Sequence, residues 1–323
     1  MTGHLGLGDW SFEPTVVVGL LVAVAVYVLA WRRGVLSPSN DVTPWFAHGR
    51  IRPWCFAAGM LITYLALQSP IDRGGDEFLF LLHMLQHLLL MMLAPPLLLL
   101  GIVGVRTPPA SQRRVVRRVW WAITRPWAAV LLFNAVMLLW HFPALYDATL
   151  TTEPIHVLEH LSFIAVGIVF WWSIVDPIRG PDTKPVSPLV KIAAMVMAGI
   201  PPTVLGLIFA ISPVAFYSFY VHAPRLWGIS AVSDQSYGGV LMLGLGNIIY
   251  FVAITIIFVR LLGDSARDEE EAAARLGPAR ASESDVAQGV SAAPSRTINV
   301  AVTAEKGTAS ARQVGAAPEG GSR

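Results

Sequence analysis

Seven stretches of the chain are almost wholly apolar, and its polar residues collect between them. They run roughly Pro14–Trp31, Pro53–Ser69, Phe78–Gly101, Pro126–His141, His156–Val175, Leu189–Ile211 and Tyr237–Leu262. Each is close to the ~20 residues a helix needs to cross about 30 Å of hydrocarbon. Lipid offers no partner for backbone N–H and C=O groups, so spans of this length are expected to be helices. The pattern predicts an all-α polytopic membrane protein, a seven-transmembrane-helix bundle over residues 1–262. From Gly263 the pattern stops. Residues 263–323 are rich in Ala, Gly, Ser, Glu and Arg, a composition that buries too little apolar surface to offset ordering entropy and predicts a disordered cytoplasmic tail. The run Asp268–Arg275 extends the last helix for about two turns on this reading, and nothing in the tail suggests catalysis.

The charges between spans give a direction. Asp9 and Glu13 precede the first span, with no Lys or Arg before it. Arg32, Arg33, Arg50 and Arg52 lie in the first loop and only Arg73 in the second. The third carries Arg106, Arg113, Arg114, Arg117, Arg118 and Arg125, and the fourth none. Arg179 and Lys184 lie in the fifth, and Arg225 alone in the sixth. By the positive-inside rule the N-terminus is outside and the C-terminus inside. The first span, with an acidic front flank and arginines behind it, reads as an uncleaved anchor.

Composition narrows the class. Charged residues make up 14% of the 323, against about a quarter in soluble domains, and mean hydropathy is +0.59. The formal net charge of +2 comes from loop arginines that set orientation, so nucleic acid is not an expected partner and the lipid bilayer is. A single cysteine, Cys55, excludes an internal disulfide and a CxxC metal grip. A soft-metal site here must draw on imidazole, thioether or carboxylate.

Threading the spans also sorts the histidines. His4, His83, His87, His141, His156, His160 and His222 fall at or near the outer face, and only His48 inside. His83/His87 and His156/His160 are i,i+4 pairs, each on one helix face near an outer end. Met91 and Pro95 continue the His83–His87 stripe. Two imidazoles and a thioether at i, i+4 and i+8 suit copper, and Cu(I) especially. The alternative is that each ring hydrogen-bonds a neighbouring helix and holds no metal. Glu159 either orients an imidazole of the second pair or compensates the first turn of its helix at an exposed interface. His141, in Trp140-His141-Phe142-Pro143, either joins the cluster or caps its helix. His4 and His222 read as solvated, and Asp72, Asp76 and Glu77 as solvated loop charges. Spacing alone does not choose among Cu, Zn, Fe and Ni. Haem competes as well, although it needs only one axial histidine from each of two helices. No phosphate loop, Ser/His/Asp order or HExxH zincin motif is present. The proline pairs Pro95-Pro96 and Pro201-Pro202 either kink helices for packing or open a cavity toward the outer face.

The string from His83 through Met84, Gln86, His87, Met91 and Met92, running on to Ala94-Pro95-Pro96 and Gly101, resembles the signature of the CtaG-like assembly factors of caa-type cytochrome oxidase. Trp140-His141-Phe142-Pro143 with Leu145-Tyr146-Asp147, His156–His160 leading to Phe170-Trp171-Trp172, Pro201-Pro202, and Asp234-Gln235 with Gly238-Gly239 are similar to its later blocks. The resemblance spans roughly Pro53 to Leu262 and departs at Ser236-Tyr237, where the family pattern has a second glutamine and an aliphatic residue. It implies a multi-pass plasma-membrane protein that helps assemble haem-copper oxidase by supporting copper delivery. Its partners would then be the oxidase subunits and a copper donor protein. The resulting expectation is a non-enzymatic assembly factor that binds copper transiently through His83, His87, His156 and His160, with His141 and Met91 as auxiliaries. A haem-binding electron carrier, a metal-free scaffold for oxidase subunits and a transporter are the competing readings.

Overall fold

The computed structural model describes residues 4–36, 51–103, 105–106, 114–179 and 185–291. His48, Arg50, Arg113 and Lys184 lie outside them. Two compact units are present, Met1–Asp264 and Ser265–Arg323.

The first unit is helical. Its first half holds α1 (Pro14–Arg32), α2 (Ile51–Gln68), α3 (Pro70–Glu77), α4 (Phe80–Leu88), a π-helical turn (Leu89–Leu93) and α5 (Ala94–Gly101). There follow α6 (Arg114–Ile123), α7 (Pro126–Trp140), α8 (Pro143–Thr151), α9 (Glu153–Val175), α10 (Pro188–Ile211) and α11 (Ser218–His222). Last come α12 (Ala231–Leu241), a second π-helical turn (Met242–Gly246) and α13 (Asn247–Ser291), of which residues 265–291 belong to the second unit. Two segments of extended chain, each of two residues, Val105–Arg106 and Ile178–Arg179, pair in parallel. Proline stands in the first turn of α1, α3, α7, α8, α9 and α10. There its missing N–H costs nothing and its fixed φ favours the helix start.

Six helical stretches are long and apolar enough to cross a membrane, and a seventh appears if α7 and α8, bent by 71°, count as one span. The 15 residues of α7 reach only about 22 Å, which is why that span depends on its partner. The other spans lie where the hydrophobic pattern puts them, with one change. The second stretch continues through α3 to Glu77, so Asp72, Asp76 and Glu77 are helical residues and not loop charges.

The bundle closes through small residues that let backbones approach, as is usual between helices in lipid. At Gly239 of α12 an added Cβ would lie 2.5 Å from the Gly206 carbonyl oxygen of α10. At Gly75 of α3 it would lie 2.9 Å from the His83 backbone, and at Gly167 of α9 2.7 Å from the Met91 carbonyl oxygen. These approaches bring α3, α4 and α9 together at one end of the bundle. Below that end Met91, Met92, Phe133, Met137, Phe163, Phe170 and Trp171 form the main apolar core.

The second unit, described as far as Ser291, is helical throughout that part. The composition had pointed to a disordered tail with two further helical turns at most. Ala, Glu and Arg are strong helix formers, so lack of a core did not here mean lack of helix. Residues 292–323 lie outside the described residues.

Candidate metal centre

The start of α4 is held from outside its own sequence. Leu79, the residue before the helix, offers no capping side chain. The free N–H groups of Phe80 and Leu81 instead donate to the Asp234 carboxylate of α12, at 2.7 and 3.0 Å. Gln86, further along α4, donates to the Ala66 carbonyl oxygen at 3.0 Å and to Asp72 at 2.7 Å, and Ser11 donates to the other Asp72 oxygen at 2.8 Å. Tyr220 donates to the Gly75 carbonyl oxygen at 2.6 Å and Tyr217 to the His141 carbonyl oxygen at 3.0 Å. Burial pushes both hydroxyls well above the usual tyrosine range, so they remain protonated donors. The Asp234 and Gln86 bonds fix the rotation of α4 and with it the direction of His83 and His87, while the two tyrosines tie α11 to α3 and to the end of α7.

Both pairs point inward. His83 is fully buried, and His87, His141, His156 and His160 are at most 8% exposed. The His83 and His87 ring centres are 4.2 Å apart, as are those of His156 and His160. Across the two helices His83 lies 5.7 Å from His156 and 6.3 Å from His160, and His87 lies 5.7 Å from His160. The third- and fifth-span imidazoles therefore face one another.

Two carboxylates complete the group. Glu159 is fully buried, so the exposed-interface reading of this residue is overturned. Its oxygens lie 3.6 Å from His83 Nε2 and 3.7 Å from His87 Nε2, and neither takes part in a hydrogen bond. The hydroxyl of nearby Thr149 donates instead to the Tyr146 carbonyl oxygen. Asp76 Oδ1 is 3.4 Å from His156 Nε2 and 3.8 Å from His83 Nδ1, and it too is buried without a hydrogen bond. Asp76 was read from the sequence as solvated; its side chain stays 31% exposed, but Oδ1 is turned inward. It reaches the histidines because α3 is a helix packed through Gly75 against His83. Glu77 does face outward, paired with Arg73 at 3.1 Å.

His83, His156, Glu159 and His160 each offer one ligand atom, and these four atoms lie within 4.8 Å of one another. Tetrahedral ligands ~2.0–2.1 Å from an ion stand about 3.3 Å apart, so closure onto one ion requires side-chain movements of about 1 Å. The donor set of three imidazoles and a carboxylate suits a borderline divalent ion such as Cu(II) or Zn(II). Among the described residues, unpaired buried nitrogens and oxygens gather here: both ring nitrogens of His83 and His87, Nε2 of His156 and of His160, and the two Glu159 oxygens. Buried polar groups are ordinarily satisfied, and a bound cation would satisfy these.

The six residues expected to act together divide into two sets. His83, His156 and His160 belong with Glu159 and Asp76. His141 and Met91 instead border an adjacent cavity. His87 touches both sets, lying 3.7 Å from Glu159 and 6.3 Å from the His141 ring. His141 is also the C-cap residue of α7, with Nδ1 2.7 Å from the Met137 carbonyl oxygen. His4 and His222 are exposed, as expected. A legible signal for Glu159 was the order His156-Val157-Leu158-Glu159-His160, the reverse of the zincin motif. No such signal marks Asp76. Asp234 and Gln235 lie within α12 and serve packing: Gln235 accepts from Phe216 N at 2.7 Å and donates to the Val214 carbonyl oxygen at 3.0 Å.

The chain is 26% identical over 299 residues to an uncharacterized protein of Mycobacterium bovis and, to the same extent, to one of Mycobacterium tuberculosis. Each alignment covers 82% of this chain and 40% of the relative, so the chain spans about two fifths of the length of the curated relatives it matches. No solved structure matches it. The profile of the cytochrome c oxidase caa3 assembly factors matches residues 25–264, a stretch that contains every histidine of the cluster. The chain therefore belongs to the cytochrome c oxidase caa3 assembly factor family.

Proposed function

We propose that this protein is a non-enzymatic assembly factor of the plasma membrane that supports copper delivery to a haem-copper oxidase. In this reading His83, His156, His160 and Glu159 hold the ion transiently, with His87 and Asp76 beside them. The observation that carries the reading is the convergence of those four donors, all buried, from two helices of an assembly-factor fold. The loop charges support a reading in which this end of the bundle is outside, where the metal would arrive from a donor protein and pass to an oxidase subunit. A carrier must release its cargo, and donors that need about 1 Å of closure suit exchange better than a rigid cage does. In this role the chain's own groups bind and orient the ion, and no bond of a substrate is broken.

The test is metal analysis of detergent-purified protein, wild type beside His83→Ala/His87→Ala and His83→Ala/His156→Ala. It is paired with the copper-to-haem ratio of the oxidase from cells carrying each variant. Sub-stoichiometric copper in the wild type, less of it in the variants, and copper-poor oxidase despite normal variant abundance are expected. Normal oxidase copper in both double variants would overturn delivery. A Soret band in the purified protein would favour a haem carrier instead.

A further inference from the structure

Below the histidine–carboxylate group lies a cavity of about 50 Å³, room for an ion or a water but far too small for a haem or a quinone. Its wall is rich in sulfur. Met84 and Met91 line it from the α4–α5 rod, Met137 from α7 and Met242 from the α12–α13 rod, and the imidazoles of His87 and His141 border it. It forms beside two departures from regular α geometry. The two π-helical turns contribute Met91 and Met242, and α10, helical throughout, contributes Pro202 of its internal Pro201-Pro202 pair. Single π-turns within helices are common at functional sites.

The spacing is reciprocal. His87 and Met91 are four residues apart on one rod, and Met137 and His141 four apart on the facing helix. The His87 and His141 ring centres are 6.3 Å apart. An ion ~2 Å from a ring nitrogen lies about 3 Å from the ring centre, so two rings at this separation can share one ion.

His141 is also prepared for ligation. Nδ1 can bond the Met137 carbonyl oxygen, at 2.7 Å, only as a donor. That fixes the tautomer and leaves an unprotonated lone pair on Nε2, which is buried and has no hydrogen-bond partner. A backbone carbonyl that orients an imidazole in this way is a common support for metal-bound histidine.

The geometry points to a second, soft-metal site in this cavity, in which His87, His141, Met91 and Met137 bind Cu(I), with Met84 and Met242 as further thioethers. Thioethers select monovalent soft ions, while the carboxylate-bearing group above favours harder, divalent ones. His87 lies between the two and links them. The inference deepens the copper reading above and rests on it for the identity of the cargo.

The experiment loads wild-type protein in detergent anaerobically with Cu(I) against a competing chelator, and separately with Ag(I) and Zn(II). X-ray absorption of the Cu(I) form is expected to show sulfur as well as nitrogen neighbours. Met91→Leu/Met137→Leu, which nearly conserves volume, is expected to weaken Cu(I) and Ag(I) at least ten-fold and leave Zn(II) unchanged. His156→Ala/Glu159→Gln is expected to do the converse. A wild-type Cu(I) spectrum with no sulfur neighbour overturns the site, and this arm does not depend on any variant folding. So does a folded Met91→Leu/Met137→Leu protein that binds Cu(I) like wild type. Normal oxidase copper together with a sulfur-bearing Cu(I) spectrum would sink delivery and leave the soft site standing.

Discussion

Replacing Asp234 should loosen the metal centre without touching any ligand. Asp234 is 2% exposed and accepts the first two free N–H groups of α4 from 153 and 154 residues further along the chain. Leu79 cannot take over this role. Asp234→Ala strands two buried donors at the positive end of the helix dipole. A net hydrogen bond to a charged group contributes ~1.5–3 kcal/mol, and losing an N-cap costs ~1 kcal/mol, so a cost of ~2–4 kcal/mol is expected for the pair. At ~2–4 °C per kcal/mol for a domain near this size, the unfolding midpoint of the detergent-solubilised protein should drop by roughly 4–16 °C. Intrinsic fluorescence of the 11 tryptophans reports it directly. Asp234→Asn keeps one acceptor oxygen and should cost about half as much. Because His83 lies one turn inside the helix start, divalent metal affinity should fall alongside stability. An Asp234→Ala midpoint within about 1–2 °C of wild type would refute the argument that this carboxylate anchors α4.

Three further outcomes are expected. Glu159→Gln keeps the shape of the side chain but removes its charge, and should weaken Cu(II) or Zn(II) binding at least ten-fold in calorimetry with little change in the unfolding midpoint; unchanged affinity would exclude Glu159 as a ligand. Gly167→Val places a branched Cβ against the Met91 carbonyl oxygen, 2.7 Å away, and should destabilise by ~1–3 kcal/mol through overpacking, read in the same thermal assay; a wild-type midpoint would show that α9 and the π-turn part easily. A green fluorescent protein fused after Arg323 should fluoresce and alkaline phosphatase fused there should be inactive, as the loop arginines require; the reverse pattern would turn the bundle over and place the histidines inside.

Much of the molecule could be read from one dimension. Span positions follow from the cost of unpaired backbone in hydrocarbon, a property of local composition, and only the α7–α8 stretch, too short on its own, resisted a firm count. The i,i+4 pairs were equally legible, because four residues on a helix share a face whatever surrounds it. Asp76 was not. An acidic residue between spans looks the same whether it meets water or an imidazole, and its proximity to His156 depends on α3 folding back through Gly75 onto His83. Glu159 stood between two readings for the same reason, since its burial is decided by α4, which is remote in sequence.

The amino-acid order by itself determined a helical membrane bundle, the i,i+4 pairing of its histidines and the local motifs that resemble those of oxidase assembly factors, because these depend on composition and on residues close together in the chain. Only the packing of distant helices decided that the imidazoles face inward, that Glu159 and Asp76 join them, and that His141 and Met91 turn toward a separate thioether-lined cavity. Contacts between residues dozens of positions apart set helix rotation, and no local pattern encodes them.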